Sequence, residues 1–235
     1  MGSPILVESC RQRDVVTVDT EFQRTDTYYP VVGLIQVYDG EICYLADPLA
    51  LDSLGPFAEL LADSSVLKVF HACSEDMEVF DYAVGEIPSP VFDTQIAAAV
   101  LGAGFSMSYQ NLVEHHLSIS VPKEQTRSDW LKRPLTSAQL EYAALDVVYL
   151  YDVYREQADA LAQQSREQWI AEECAGLGEE LAINVDPRQT YLPVESAGRM
   201  KPEELNVLRE LCAWREGMAR EMNLLGIVSL MSAPL

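Results

Sequence analysis

The stretch VVTVDTEFQ, residues 15–23, runs through apolar and β-branched residues into Asp19, one spacer and then Glu21. On a strand, side chains at i and i+2 leave the same face, so these two acids point the same way. Like charges that close repel unless something positive sits between them. Two further acids have unusual settings. Asp76, in HACSEDMEVF, lies at the start of a helical pattern that follows a short apolar run. In open α/β sheets such strand-to-helix junctions are where ligands bind. Asp146, in YAALDVVYL, interrupts a helical pattern between Leu145 and Val147, although aspartate is a poor mid-helix residue. Tyr142 is four residues earlier and shares its helix face. Oxygen-only ligands suit hard cations such as Mg2+ or Mn2+. A pair of such ions about 3.5–4 Å apart can activate water and stabilise a leaving oxygen in phosphoryl chemistry.

Each acid also has a structural reading. Asp19 and Glu21 can be solvated at a frayed strand end, Asp76 can be a helix-start acid favoured by the dipole, and Asp146 can be a buried, hydrogen-bonded side chain. Spacing alone does not bring the four together.

The elements that would position them follow from periodicity. DVVTVDTEF and VVGLIQVYDG read as strands, with Asp39-Gly40 as a hairpin turn into EICYLAD. LGPFAELLADSS is helical, VLKVFH is a buried strand, and SEDMEVFDYAVG is a helix opening near Ser74 and closing at Gly85. VFDTQIAAAVLG enters another helix, YQNLVEHHL is a further one, and residues 136–164 form a long helix with Thr136 or Ser137 as N-cap. The pattern predicts an α/β fold: a mixed sheet flanked by helices. ILVESCRQR reads as a short helix before the first strand. We place one domain over 1–182, a Pro-rich linker over 183–202 and a helical segment over 203–235. In that segment Leu205, Leu208, Leu211, Cys212 and Trp214 are expected to share one helix face.

The chain has 235 residues, 49% of them hydrophobic, enough for one sizeable core and a smaller appendage. No apolar run reaches membrane-spanning length, so no membrane partner is expected. Five scattered cysteines without a C-x-x-C spacing suit reduced thiols in a cytoplasmic setting. The net charge of −21 runs against the basic surface usual for nucleic-acid binding. One stretch differs. VPKEQTRSDWLKRPL holds Lys123, Arg127, Lys132 and Arg133 beside Trp130, which could grip phosphates and stack on a base. The alternative is a solvated basic face. His71 and Gln36 read as structural, and Asp93 as a helix-start residue.

VDTEF, HACSEDMEVF and YAALDVVYL resemble the three exonuclease motifs of the DEDD superfamily, the last in the Y-x-x-x-D form of its tyrosine subgroup. DTEFQRTDTYYPVVGLIQVYDG, FDTQIAAAVLG and RSDWLKRPLTSAQLEYAALDVVYL narrow the resemblance to ribonuclease D, over roughly residues 8–222. The resemblance implies a ribonuclease H-like fold and 3′-5′ hydrolysis of RNA to nucleoside 5′-monophosphates with two divalent ions. Asp19 would bridge both ions, Glu21 and Asp146 would complete the first site, and Asp76 would hold the second through water. Tyr142 would orient the attacking water, while Thr20 and Phe22 would meet the 3′ nucleotide. The partner would be an RNA 3′ end of the tRNA-precursor kind, with no obligate protein partner. Two rival readings are an exonuclease acting mainly on DNA and a catalytically idle RNA-binding protein. The helical HRDC modules usual in this family are not found in the sequence, which predicts weak RNA retention.

Overall fold

The structure is a computed structural model that describes residues 3–121, 128–183 and 186–224. Five strands form one mixed sheet in the order β3-β2-β1-β4-β5. β1 (Val15–Gln23), β2 (Val31–Tyr38) and β3 (Cys43–Ala46) make an antiparallel meander. β4 (Leu67–Phe70) and β5 (Val91–Asp93) add on in parallel with β1. Parallel strands need crossovers. Here α2 (Gly55–Ala62) precedes β4, and α3 (Ser74–Val84) carries the chain from β4 to β5. This is the helix-flanked mixed sheet that the sequence predicts. β5 itself was hidden in the sequence, because three residues carry no period.

The largest core cluster joins β1 and β2 to α1 (Ser3–Cys10), α2 and α3 through residues such as Val16, Val18, Ile35, Phe57, Phe70 and Phe80. α6 (Ser137–Gln163) packs against β1, β2, β3 and β4. Its start is set by a capping box: the Thr136 hydroxyl accepts from the Gln139 N–H, and the Gln139 side chain accepts from the Thr136 N–H. The Thr17 hydroxyl donates to the Val147 carbonyl at 2.7 Å, tying β1 to α6 one residue from Asp146. α4 (Thr94–Val100) and α5 (Tyr109–Leu117) pack beside α6. α7 (Glu167–Ile183), which the sequence reading missed, lies against β5.

Asp93 sits where several backbones meet. Its carboxylate accepts from Gln95 and Ile96 at the start of α4, and from Ala72 and Cys73 just before α3. The helix-start role expected of it therefore extends to two helices. Ala72 has a positive φ of 56°, and the Asp93 bonds hold that turn, which delivers Asp76 into the first turn of α3.

Beyond α7 the chain makes 3-10 turns at Pro187–Gln189 and Ala197–Arg199, then α8 (Pro202–Met222). α8 packs on the first turn and on the loop after β1. There Tyr28 bonds to Glu216, and the Asn223 side chain accepts from the Tyr29 N–H. The expected single apolar face of α8 is corrected: Cys212 is buried, but Leu211 and Trp214 are 57% and 47% exposed. The elements under α8 are short, so they cover only the line through Cys212 and Ala219. Among the described residues no helix is long and apolar enough to cross a membrane.

Candidate active site

Asp19, Glu21 and Asp146 each offer a carboxylate oxygen, and the three oxygens lie within 4.8 Å of one another. Strand alternation points Asp19 and Glu21 towards α6, and the Thr17–Val147 bond fixes the helix register so that Asp146 faces them. The electrostatic strain is visible in the acids' proton affinities. Burial, and then the charge of Asp146, raises Asp19 well above the usual carboxylate range. Glu21 is pushed up to about 10, by burial first and then by Asp19, Asp146 and Asp76. Asp146 is pushed up to about 7 by burial, partly offset by a hydrogen bond from Tyr142. Asp146 Oδ1 is buried without a hydrogen-bond partner. Three clustered oxygens, mutual repulsion and an orphaned buried carboxylate atom fit a hard divalent cation.

Asp76 arrives differently. Its Oδ1 accepts from the Thr20 hydroxyl at 2.5 Å, and Thr20 is the residue between the two strand acids. The Thr20 backbone N–H serves Asp19 and Asp76 alike. Burial and then the Asp19 charge raise Asp76 well above its ordinary value. Asp76 is thus coupled to the cluster through Thr20, but it is not one of the three clustered acids.

The acids floor a cavity of about 190 Å3, with His71, Tyr109, Gln110 and Tyr142 around it. The His71 Nδ1 is 2.9 Å from the Thr94 hydroxyl, and burial holds the ring below the usual histidine pKa. It is a hydrogen-bonded strand-end histidine, as expected, and it also lines the cavity. Tyr109 escaped the sequence reading. Its hydroxyl donates to the Leu145 and Asp146 carbonyls at 3.0 and 2.7 Å, clamping α6 beside the acid. The only signal was a tyrosine at a helix start, and nothing local says that it reaches another helix.

One expected contact is corrected. Trp130 is 2% exposed and packs with Leu34, Ala143 and Tyr142, so it cannot stack on a base. Gly33 explains how it enters: a Cβ there would lie 2.6 Å from the Trp130 carbonyl oxygen. Arg133 locks the approach, bonding to Asp47 and to the Gly33 and Trp130 carbonyls. Arg133 is therefore a structural cation. Thr20 is buried against Asp76, and Phe22 packs at the edge of the main core. Lys123 and Arg127 lie outside the described residues.

Comparison with known proteins places this geometry. The model of the family described as 3′-5′ exonuclease matches residues 4–161. A Ribonuclease D from Pseudomonas paraeruginosa is 50% identical over 221 residues, which is 93% of this chain and 58% of the relative. The crystal structure of Escherichia coli RNase D, described as an exoribonuclease involved in structured RNA processing, superposes with a TM-score of 0.91 at 37% identity, covering 96% of this chain and 60% of that one. Brucella melitensis NrnC with bound Mg2+ superposes with a TM-score of 0.66 at 27% identity, covering 74% of this chain and 87% of that one. The chain thus spans about 58% of the length of the curated relative from Pseudomonas.

Proposed function

The chain belongs to the 3′-5′ exonuclease family, in its ribonuclease D branch, and we propose that it is a metal-dependent exoribonuclease that shortens RNA from the 3′ end. The observation that carries this reading is the meeting of Asp19, Glu21 and Asp146 oxygens within 4.8 Å on the floor of a polar cavity. The substrate class is the 3′ end of structured RNA such as a tRNA precursor, in line with the description of the Escherichia coli relative. The products are nucleoside 5′-monophosphates. We place the exonuclease unit at residues 1–182, followed by a linker over 183–202 and a C-terminal segment over 203–235, of which α8 is the helical part and residues 225–235 lie outside the described residues. Five free cysteines accord with a cytoplasmic setting.

In this reading Asp19, Glu21 and Asp146 would hold one Mg2+ or Mn2+, and Asp76 beside Asp19 would help to hold a second. Bound there, divalent cations offset the repulsion among the acids and stabilise negative charge building up on the attacked phosphodiester. The protein's own groups do the rest. Thr20 keeps Asp76 turned towards Asp19 through its hydroxyl and N–H. Tyr142, bonded to Asp146, orients the attacking water for in-line displacement. Tyr109 holds the α6 backbone so that Asp146 does not shift along the helix axis. Trp130 backs Tyr142, with ring centroids 6.2 Å apart, and so acts on the reaction through it.

The test is incubation of 3′-tailed RNA and matched DNA with Mn2+, Mg2+ or chelator. Mononucleotide release from RNA only with metal is expected. Faster digestion of DNA would transfer the assignment to a deoxyribonuclease. Binding of RNA without hydrolysis under any metal would make the protein an idle RNA binder.

A further inference from the structure

Gln36 is a fully buried amide in the middle of β2, between Ile35 and Val37, which are buried as well. A glutamine there is an anomaly. It gives up hydration of a primary amide, and its Oε1 is left buried without a hydrogen-bond partner. An apolar residue of the same size would avoid that loss, so the amide calls for a use. Its position supplies one. Gln36 is the cross-strand partner of Asp19, and side chains paired across antiparallel strands share a face. Its Nε2 points at Asp19 Oδ2 at 3.4 Å. With Asp19 ionised, as cation binding requires, the reverse amide orientation would set Oε1 against an anionic oxygen, so in that form the donor faces Asp19.

The neighbouring groups sharpen this. Asp19 also receives the Thr20 N–H, Asp76 is held by Thr20, and Asp146 by Tyr142. Asp19, Asp76 and Asp146 thus each have a neutral donor that sets the carboxyl rotation without cancelling its charge. For Asp19 the side-chain donor comes from Gln36. A lysine or arginine in that place would neutralise the carboxylate and compete with a cation. An amide orients it and leaves its negative charge available.

We propose that Gln36 is a positioning residue that fixes the Asp19 carboxylate for divalent-cation binding, at a cost to the stability of the metal-free fold. The inference rests on the metal-dependent reading of the site given above. It assigns Gln36 no contact with RNA.

Gln36→Met keeps length and approximate volume while removing the donor and the orphaned acceptor. Melting of the wild type and the variant is followed in chelator and across a Mn2+ titration. In chelator the variant is expected to melt at or above the wild-type temperature. The Mn2+ concentration for half-maximal stabilisation is expected to rise about 10–100-fold, the usual effect of removing a partner of a ligand. KM for RNA at saturating Mn2+ should stay unchanged. Gln36→Asn, which keeps an amide but shortens its reach, is expected to show the same weakened Mn2+ response. Wild-type Mn2+ affinity in either folded variant overturns the proposal, as does a large drop in chelator melting temperature for both with no change in Mn2+ response. The parent reading fails separately: wild type would show no Mn2+ stabilisation, or would keep it in Asp19→Asn.

Discussion

Two cavities that both border α6 differ in nearly every respect. The one between β5 and α7 has a volume of about 570 Å3 and is walled by Leu67, Pro90, Phe92, Tyr154 and Ile170. The acid-floored cavity beside α6 measures about 190 Å3. Size and apolar lining favour the first as a ligand site by the usual rule for small molecules. The chemistry favours the second. The apolar cavity holds no cluster of acids, and filling it would only improve packing. The acidic cavity is built from groups that would be more stable neutral, as the upward shifts of Glu21 and Asp146 show. A site whose polar groups oppose the fold is better evidence of function than a larger site whose lining supports it.

The sharpest way to break this comparison is to neutralise one acid. Asp19→Asn or Asp146→Asn should lower kcat/KM on RNA by at least about 10²–10³-fold, the scale for losing one electrostatic stabiliser. Melting temperature in chelator should rise, because a buried like charge is gone. Activity lost together with stability would mean that these acids are structural. Next is Tyr142→Phe, which should cut kcat by about 10²-fold with RNA affinity nearly unchanged, since only an orienting hydroxyl is removed. Weakened binding with a normal single-turnover rate would reassign Tyr142 to substrate packing.

The two cavities also differ in how far the sequence announced them. Asp19 and Glu21 were legible from strand alternation, and Asp146 from being an acid inside an apolar helix. Both signals are local and periodic. Asp76 was legible as a helix-start acid, but its route to the others, through Thr20, depends on a turn held by Asp93 from another strand. Trp130 was misread because it is a lone aromatic in the one basic stretch, among Lys123, Arg127, Lys132 and Arg133. Its burial is decided by Gly33, almost a hundred residues away, and by the Arg133–Asp47 pair. Gln36 looked structural, and only the pairing register shows which acid it faces. The apolar cavity was not legible at all, since α7 and β5 carry no period that says how closely they pack.

Protons give a graded test of the acidic cavity. Glu21 and Asp146 have folded-state pKa values of about 10 and about 7, above their values in an unfolded chain. The native state then keeps protons that the unfolded chain has released. The stability these groups lend is full below about pH 4 and is lost as pH rises through the folded values. Metal-free protein should therefore be less stable at pH 8 than at pH 5, by on the order of a few kcal/mol, and should melt at a lower temperature. Mn2+ replaces the protons, so the melting gap between metal and chelator should widen over the same range. Asp146→Asn should flatten part of that slope. A gap that stays constant from pH 5 to 8 would show that the cluster is not protonated in the metal-free state.

The smallest effect belongs to the apolar cavity, and it tests the other half of the comparison. Ala158 lies on α6 and lines that cavity, three turns beyond Asp146 on the same helix. Ala158→Leu adds three carbons to free space and keeps a strong helix former. Full burial of each added carbon would contribute about 0.8 kcal/mol. The cavity is open to solvent on one side and leucine loses rotamer freedom, so a net gain of about 1 kcal/mol is expected. Because Thr17 and Tyr109 pin α6 near Asp146, the added bulk should not move the acid. Urea unfolding should then show a higher midpoint with the same m-value, and kcat/KM on RNA should stay within about twofold. A fall in activity without a fall in stability would show that α6 transmits strain from the apolar cavity to Asp146. The two cavities would then be parts of one mechanical unit.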